Sequence, residues 1–267
     1  EVTFKNEPGA EAIAYLSFQE EGLPEAAVAA DEAAGGALRR ALEIARFTGK
    51  PGQIVEVIAP AGAAANRILI AGCGEKEKAD ARSFEKAGAS LVKNLLTSGA
   101  ASLDIVGAPD AAAAARIALG GRLAAYRFDQ YRTKLKDEQK PTLKTLGVVT
   151  DDAAVQAAYA PLDAAASGTE LARDLVNEPS NTLNPESYAE RIADLASLGL
   201  DIEILDEPAM EKLGMHALLG VGQGSVKGSR LAVLKWLGAS DKTTAPLALV
   251  GKGVTFDTGG ISLKPGG

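Results

Sequence analysis

Between Ala12 and Val149 short apolar runs alternate with longer amphipathic ones, and that alternation leaves few folds open. Ala12 to Phe18 reads as a strand. Asp31 to Phe47 carries Leu38, Leu42 and Ala45 on one helical stripe, with Gly49 to end it. Two strands come next at Ile54 to Ala59 and Arg67 to Ala71, then a helix at Ala79 to Leu96 and a strand at Leu103 to Val106. Ala111 to Ala125 is a helix with alanine along one side, suited to close packing on a sheet, and Leu143 to Val149 is a last strand. Strands and helices alternate at these lengths where a largely parallel sheet is covered by helices, so an α/β fold is expected.

The length, 267 residues, suffices for one large domain or two ordinary ones. No run of about eighteen apolar residues occurs, so no membrane-spanning helix is expected. Cys73 is the single cysteine, which excludes an internal disulfide and points to a reducing, cytoplasmic setting. Its neighbours, Leu69-Ile-Ala-Gly-Cys-Gly74, read as a strand entering a turn, where a core thiol is expected and not a nucleophile. A net charge of −7 argues against a dominant role on nucleic acid. The chain opens Glu1-Val-Thr-Phe-Lys with no methionine, and a short piece is expected to have been lost before it.

Tyr126 to Lys136 is the most basic and aromatic stretch. Aromatics among arginines can stack bases, but the acidic balance favours a surface segment whose rings pack inward while its charges reach solvent. Asp151 to Asn177 reads as a long helical run, stopped by Pro179. Asn184-Pro185 has the form of an N-cap followed by a first-turn proline. Ile202 to Leu205 reads as a strand and Pro208 to Leu213 as a short helix. Leu218 to Ser225 spaces its glycines as Gly220-x-Gly222-x-Gly224, which is not the dinucleotide pattern, and reads as a turn between strands. Leu231 to Leu237 reads as a strand with Trp236 in the core. His216, the single histidine, cannot form a zinc-binding histidine pair and reads as a core or capping residue. No Gly-x-Ser-x-Gly elbow is present, which disfavours a serine hydrolase.

Leu247 to Val250 has the pattern of a buried strand, and the residues after Val250 are of a different chemistry. Lys252 sits between glycines, Asp257 precedes Thr258-Gly259-Gly260, and Lys264 precedes Pro265. A phosphate loop would need glycine at 246 and serine or threonine at 253, where Pro246 and Gly253 stand. A metal site suits the residues better. Asp257 is a hard oxygen ligand, and a lysine amine can ligate once burial and a nearby cation displace its proton. Lys264 could remain cationic and stabilise negative charge on a substrate oxygen. The plain alternative is a solvated glycine-rich turn.

Gly251 to Pro265 resembles the signature of the leucyl aminopeptidase family, the M17 two-metal exopeptidases. Tyr126-Arg-Phe-Asp-Gln-Tyr-Arg-Thr133 and Arg173-Asp-Leu-Val-Asn-Glu-Pro179 are similar to further segments of that family. The resemblance implies a macrodomain-like α/β domain over residues 1–150, a connecting helix over 151–177 and the start of a catalytic domain over 178–267. It implies that Lys252 and Asp257 are metal ligands and that Lys264 polarises the scissile carbonyl. Two divalent ions (zinc or manganese, or magnesium) about 3.5–4 Å apart would activate a water and bind the free amine of a peptide. A bicarbonate base, a hexameric assembly and removal of N-terminal leucine-like residues are implied in the same way. The family's remaining ligands and its bicarbonate-binding arginine fall after Gly267, so these residues alone are expected not to hydrolyse peptides. Two non-catalytic readings stand beside this one: DNA binding through Arg127 to Lys136, and an oligomeric scaffold.

Overall fold

The computed structural model describes residues 1–241 and 243–256. They fall into two compact units, Glu1–Arg173 and a second that begins at Asp174.

The first unit is an α/β layer structure. Six strands, β1 (Val2–Lys5), β2 (Ala12–Ser17), β3 (Ile54–Ile58), β4 (Arg67–Gly72), β5 (Ser102–Val106) and β6 (Thr145–Val149), form one sheet in the order β1-β6-β5-β2-β4-β3. All neighbours are parallel except β3, which pairs antiparallel with β4 at the edge. Central strands of such a sheet are covered on both faces, and Ala14, Leu69, Leu103, Ile105 and Val148 are accordingly buried.

Two helices, α3 (Ala81–Leu95) and α4 (Ala111–Ala125), cover one face of the sheet. Each starts at an aspartate whose carboxylate accepts an orphan backbone N–H: Asp80 from Ser83 and Asp110 from Ala113. They touch backbone to backbone. A Cβ on Gly88 would overlap the Ile117 carbonyl, and one on Gly120 would overlap the Glu85 carbonyl. The alanine side of α4 is therefore a contact surface for both sheet and helix, as its composition suggested.

The expected helix over residues 31–47 is two helices, α1 (Val28–Ala33) and α2 (Ala37–Ile44). Gly35 and Gly36 both take positive φ between them, which breaks the run. Buried Asp31 then accepts from the N–H groups of Leu38 (2.9 Å) and Arg39 (3.1 Å), satisfying the exposed first turn of α2. Strand β1 escapes a reading by periodicity because it is four residues long. Cys73 is buried as expected, and burial, with a smaller contribution from Glu21, pushes its thiol up to about 12.

Helix α5 (Val155–Asn177) runs on from the first unit, whose α4 it meets through Arg122. The second unit contains α6 (Pro185–Ala193), β7 (Asp201–Leu205), α7 (Glu207–Lys212), α8 (His216–Gly222) and β8 (Leu231–Lys235), with β7 and β8 antiparallel.

Four expectations fail in the second unit. Residues 218–222 belong to α8 instead of a turn between strands, with the Leu218 and Leu219 N–H groups donating to the Met215 carbonyl at 3.1 Å. His216 is the first residue of that helix and its imidazole is exposed beside Glu211, at 3.4 Å. Trp236 lies just after β8 and is 70% exposed, not in a core. Leu247, Leu249 and Val250 are likewise exposed, Val250 by 98%, and form no strand. A buried strand needs a hydrogen-bonding neighbour and a packed layer over each face, and the described residues of this unit offer residues 247–250 neither.

Candidate functional site

Of the three residues singled out for catalysis and metal binding, Lys252 is described; Asp257 and Lys264 lie outside the described residues. Lys252 is exposed on a segment without regular structure, where its carbonyl accepts from Val254 N–H at 3.1 Å. Gly253 beside it faces Tyr188 of α6, and a Cβ there would stand 2.9 Å from the ring. Among the described residues no group of three or more His, Cys, Asp or Glu side chains could hold a metal ion. Lys252 and Asp257 have the donor chemistry of a metal site, but an exposed amine on its own does not hold a divalent ion.

The start of α6 is well fastened. Asn184 caps it, accepting from Glu186 N–H (3.1 Å) and Ser187 N–H (3.3 Å). Glu186 then binds Lys227 at 3.0 Å and accepts from Gly228 N–H at 3.3 Å, which fixes the approach to β8. Its hydrogen bond with the Lys227 ammonium holds its carboxyl below the ordinary range. Glu178, almost fully buried, pairs with Arg191 at 2.8 Å.

In the first unit, the Tyr126 to Lys136 stretch is a loop after α4. Arg127 is tied to Asp129 at 2.5 Å, and Phe128 stacks edge-on with half-exposed Tyr131 at 5.7 Å. The Arg173 guanidinium lies 5.3 Å above the Tyr126 ring and donates to the Leu123 carbonyl.

A second cluster escaped the sequence reading. Arg122 projects from α4 and donates to Asp163 (2.5 Å), Ser167 (3.0 Å) and Glu170 (2.7 and 3.1 Å), all on α5. The two carboxylates, Glu170 foremost, raise the guanidinium further above its ordinary value. Next to them Tyr159 is 8% exposed and its hydroxyl has no hydrogen-bond partner. Burial, helped by Asp163, pushes that phenol up to about 12. The signal was present as an arginine in an alanine helix, answered by acids seven residues apart on one helical face.

The profile of the cytosol aminopeptidase family's N-terminal domain matches residues 15–135, and that of its catalytic domain matches residues 170–267. The chain belongs to the cytosol aminopeptidase family. A probable cytosol aminopeptidase of Caulobacter vibrioides is 48% identical over 255 residues, covering 95% of this chain and 52% of that protein. One from Agrobacterium fabrum is 43% identical, covering 100% of this chain and 55% of the relative. The chain thus spans about half the length of the curated relatives it matches. Among solved structures, the bottromycin maturation enzyme BotP in complex with Mn is similar with TM-score 0.67 and 29% identity, over 85% of this chain and 45% of that one. A mutant of tomato leucine aminopeptidase shares the fold at TM-score 0.75 and 22% identity, over 87% of this chain and 50% of its own. The α/β architecture expected from the cytosol aminopeptidase resemblance is thereby borne out. No described helix is long and apolar enough to cross a membrane.

Proposed function

We propose that the protein carrying these residues is a metal-dependent aminopeptidase that releases N-terminal, leucine-like residues from peptides. The observation that carries this reading is membership of the cytosol aminopeptidase family across both of its domains, with the Lys252, Asp257 and Lys264 motif inside the matched catalytic segment.

In this reading Lys252 contributes a neutral amine and Asp257 a carboxylate to a pair of divalent ions, zinc, manganese or magnesium. Such ions supply a water activated at neutral pH and a grip on the substrate's free amine. Lys264 keeps its proton and donates it in a hydrogen bond to the scissile carbonyl oxygen, where negative charge develops. A bicarbonate base, a homohexamer and a cytoplasmic location belong to the same proposal. The name carried by the relatives and the manganese in BotP support it.

The test is hydrolysis of leucine p-nitroanilide by the purified protein with manganese or zinc added, alongside its intact mass. Metal-dependent turnover that Lys252→Ala, Asp257→Ala and Lys264→Ala each reduce by about two orders of magnitude or more is the expected result. Turnover untouched by chelation, or by all three substitutions, would overturn the proposal.

A further inference from the structure

Lys252 stands between two glycines whose surroundings differ. A Cβ on Gly251 would meet no described atom within 4 Å, so the missing side chain there makes room for nothing described. A Cβ on Gly253 would stand 2.9 Å from one carbon of the Tyr188 ring and 3.5 Å from the next, the first of which is too close to keep. Neither glycine takes a left-handed φ, so the constraint at Gly253 is one of space and not of backbone conformation. The Val254 N–H donates to the Lys252 carbonyl at 3.1 Å, which closes a three-residue turn around Gly253. The Tyr188 ring thus lies against the apex of the turn that carries Lys252.

That ring is carried by a firmly held element. Tyr188 is half-buried on α6, and its N–H donates to the Asn184 carbonyl at 2.8 Å. One residue earlier the Ser187 hydroxyl donates to the Thr182 carbonyl at 2.7 Å, and three residues later Arg191 pairs with buried Glu178. Glu186 ties the same helical turn to Lys227 and Gly228, and α6 packs against both β7 and β8. The turn at Gly253, by contrast, belongs to a segment without regular structure, and Lys252 is exposed on it. A lysine has a flexible four-carbon stem and a strongly hydrated head, so it ligates a metal well only where its backbone is already placed.

We propose that Tyr188 is a positioning residue for the metal site: its ring packs on Gly253 and sets the direction in which Lys252 leaves the chain. It acts through the backbone of the turn and not on the substrate. The inference rests on the aminopeptidase reading, in which Lys252 supplies an amine to a divalent ion. Groups that orient a ligand without touching the metal contribute about 10–100-fold to affinity. The atoms that Gly253 faces are ring carbons, so the aromatic body of Tyr188 makes the contact and its hydroxyl does not.

Calorimetric titration of manganese(II) into the metal-free purified protein tests this, beside turnover of leucine p-nitroanilide. Tyr188→Ala should weaken manganese about tenfold, while Tyr188→Phe stays within about twofold of the unsubstituted protein. At saturating manganese the turnover of Tyr188→Ala should recover to within about twofold, which a misfolded fraction would not do. Gly253→Ala should weaken manganese about tenfold as well, yet add no more than about twofold in the Tyr188→Ala background, where its methyl has room. Unchanged manganese affinity in Tyr188→Ala, an equal loss in Tyr188→Phe, or fully additive losses in the double variant would each overturn the inference while the aminopeptidase reading stands. An unsubstituted protein with neither manganese binding nor turnover overturns that reading, and this inference with it.

Discussion

Two buried polar residues show how much a single side chain organises the first unit. Asp104 is 1% exposed on β5, yet it accepts from Gly9 N–H (2.7 Å), Ala10 N–H (2.9 Å) and the Lys5 ammonium (3.0 Å). It thereby fastens the turn from β1 into β2. Asp104→Ala strands two backbone donors and a half-buried ammonium, and should cost about 2–4 kcal/mol in urea unfolding. A loss below about 0.5 kcal/mol would show that water takes over those donors. Cys73 makes the opposite case. With its thiol pushed up to about 12 and its sulfur buried, it should remain unmodified by a disulfide reagent at pH 8 until the unit unfolds. The bare sequence showed Cys73 as a core thiol because its neighbours are a strand. It did not show Asp104, whose partners lie more than ninety residues away.

Elements were legible where periodicity was long and illegible where tertiary contact decided. Helix α3 and the parallel strand β5 after it are set by the spacing of Leu91, Leu95, Leu103 and Ile105, and α4 by its run of alanines. The break between α1 and α2 was not visible in that way, since the apolar stripe of Leu38 and Leu42 runs on while Gly35 and Gly36 turn the backbone. The close crossing of α3 on α4 is the part of this architecture most open to damage. Gly120→Ala places a methyl against the Glu85 carbonyl and should cost about 2–3 kcal/mol, whereas helix propensity alone would make it stabilising. Unfolding in urea distinguishes the two signs. On α6, Glu186 has its carboxyl held below its ordinary 4.5 by Lys227, so the folded state binds this proton less readily. Its hold on residues 227–230 is therefore complete above pH 4.5 and is lost as pH falls through the lower folded value. The Gly228 amide resonance should titrate there, and an amide indifferent to acid would sink the assignment.

At the level of the molecule the two units are unequal. Nearly all the large buried side chains lie in Glu1–Arg173; in the second unit Leu183, Ala189 and Met210 are the buried hydrophobics among the described residues. Residues 1–173 produced alone should unfold in one cooperative transition, and residues 174–267 alone should give none, with strong binding of a hydrophobic dye. A sharp transition in the second piece would contradict the burial pattern. That difference also explains the uneven reading of the candidate site. Lys252, Asp257 and Lys264 stood out as a motif, but Trp236 and Val250 were assigned to a core by hydrophobicity, and the described residues leave both largely exposed. Arg122, Asp163 and Tyr159 went unremarked because their meeting depends on how α4 and α5 pack.

The sheet order has a consequence in time. Strand β1 pairs with β6, so Val2 meets Leu146 and Lys5 meets Val149. Every other strand of the sheet lies between those partners in the chain. A ribosome adding about 5–20 residues per second keeps β1 waiting for about 7–30 seconds before its neighbour is made. Throughout that interval Val2 and Phe4 are without their sheet neighbour, and the β1–β6 pairing closes last.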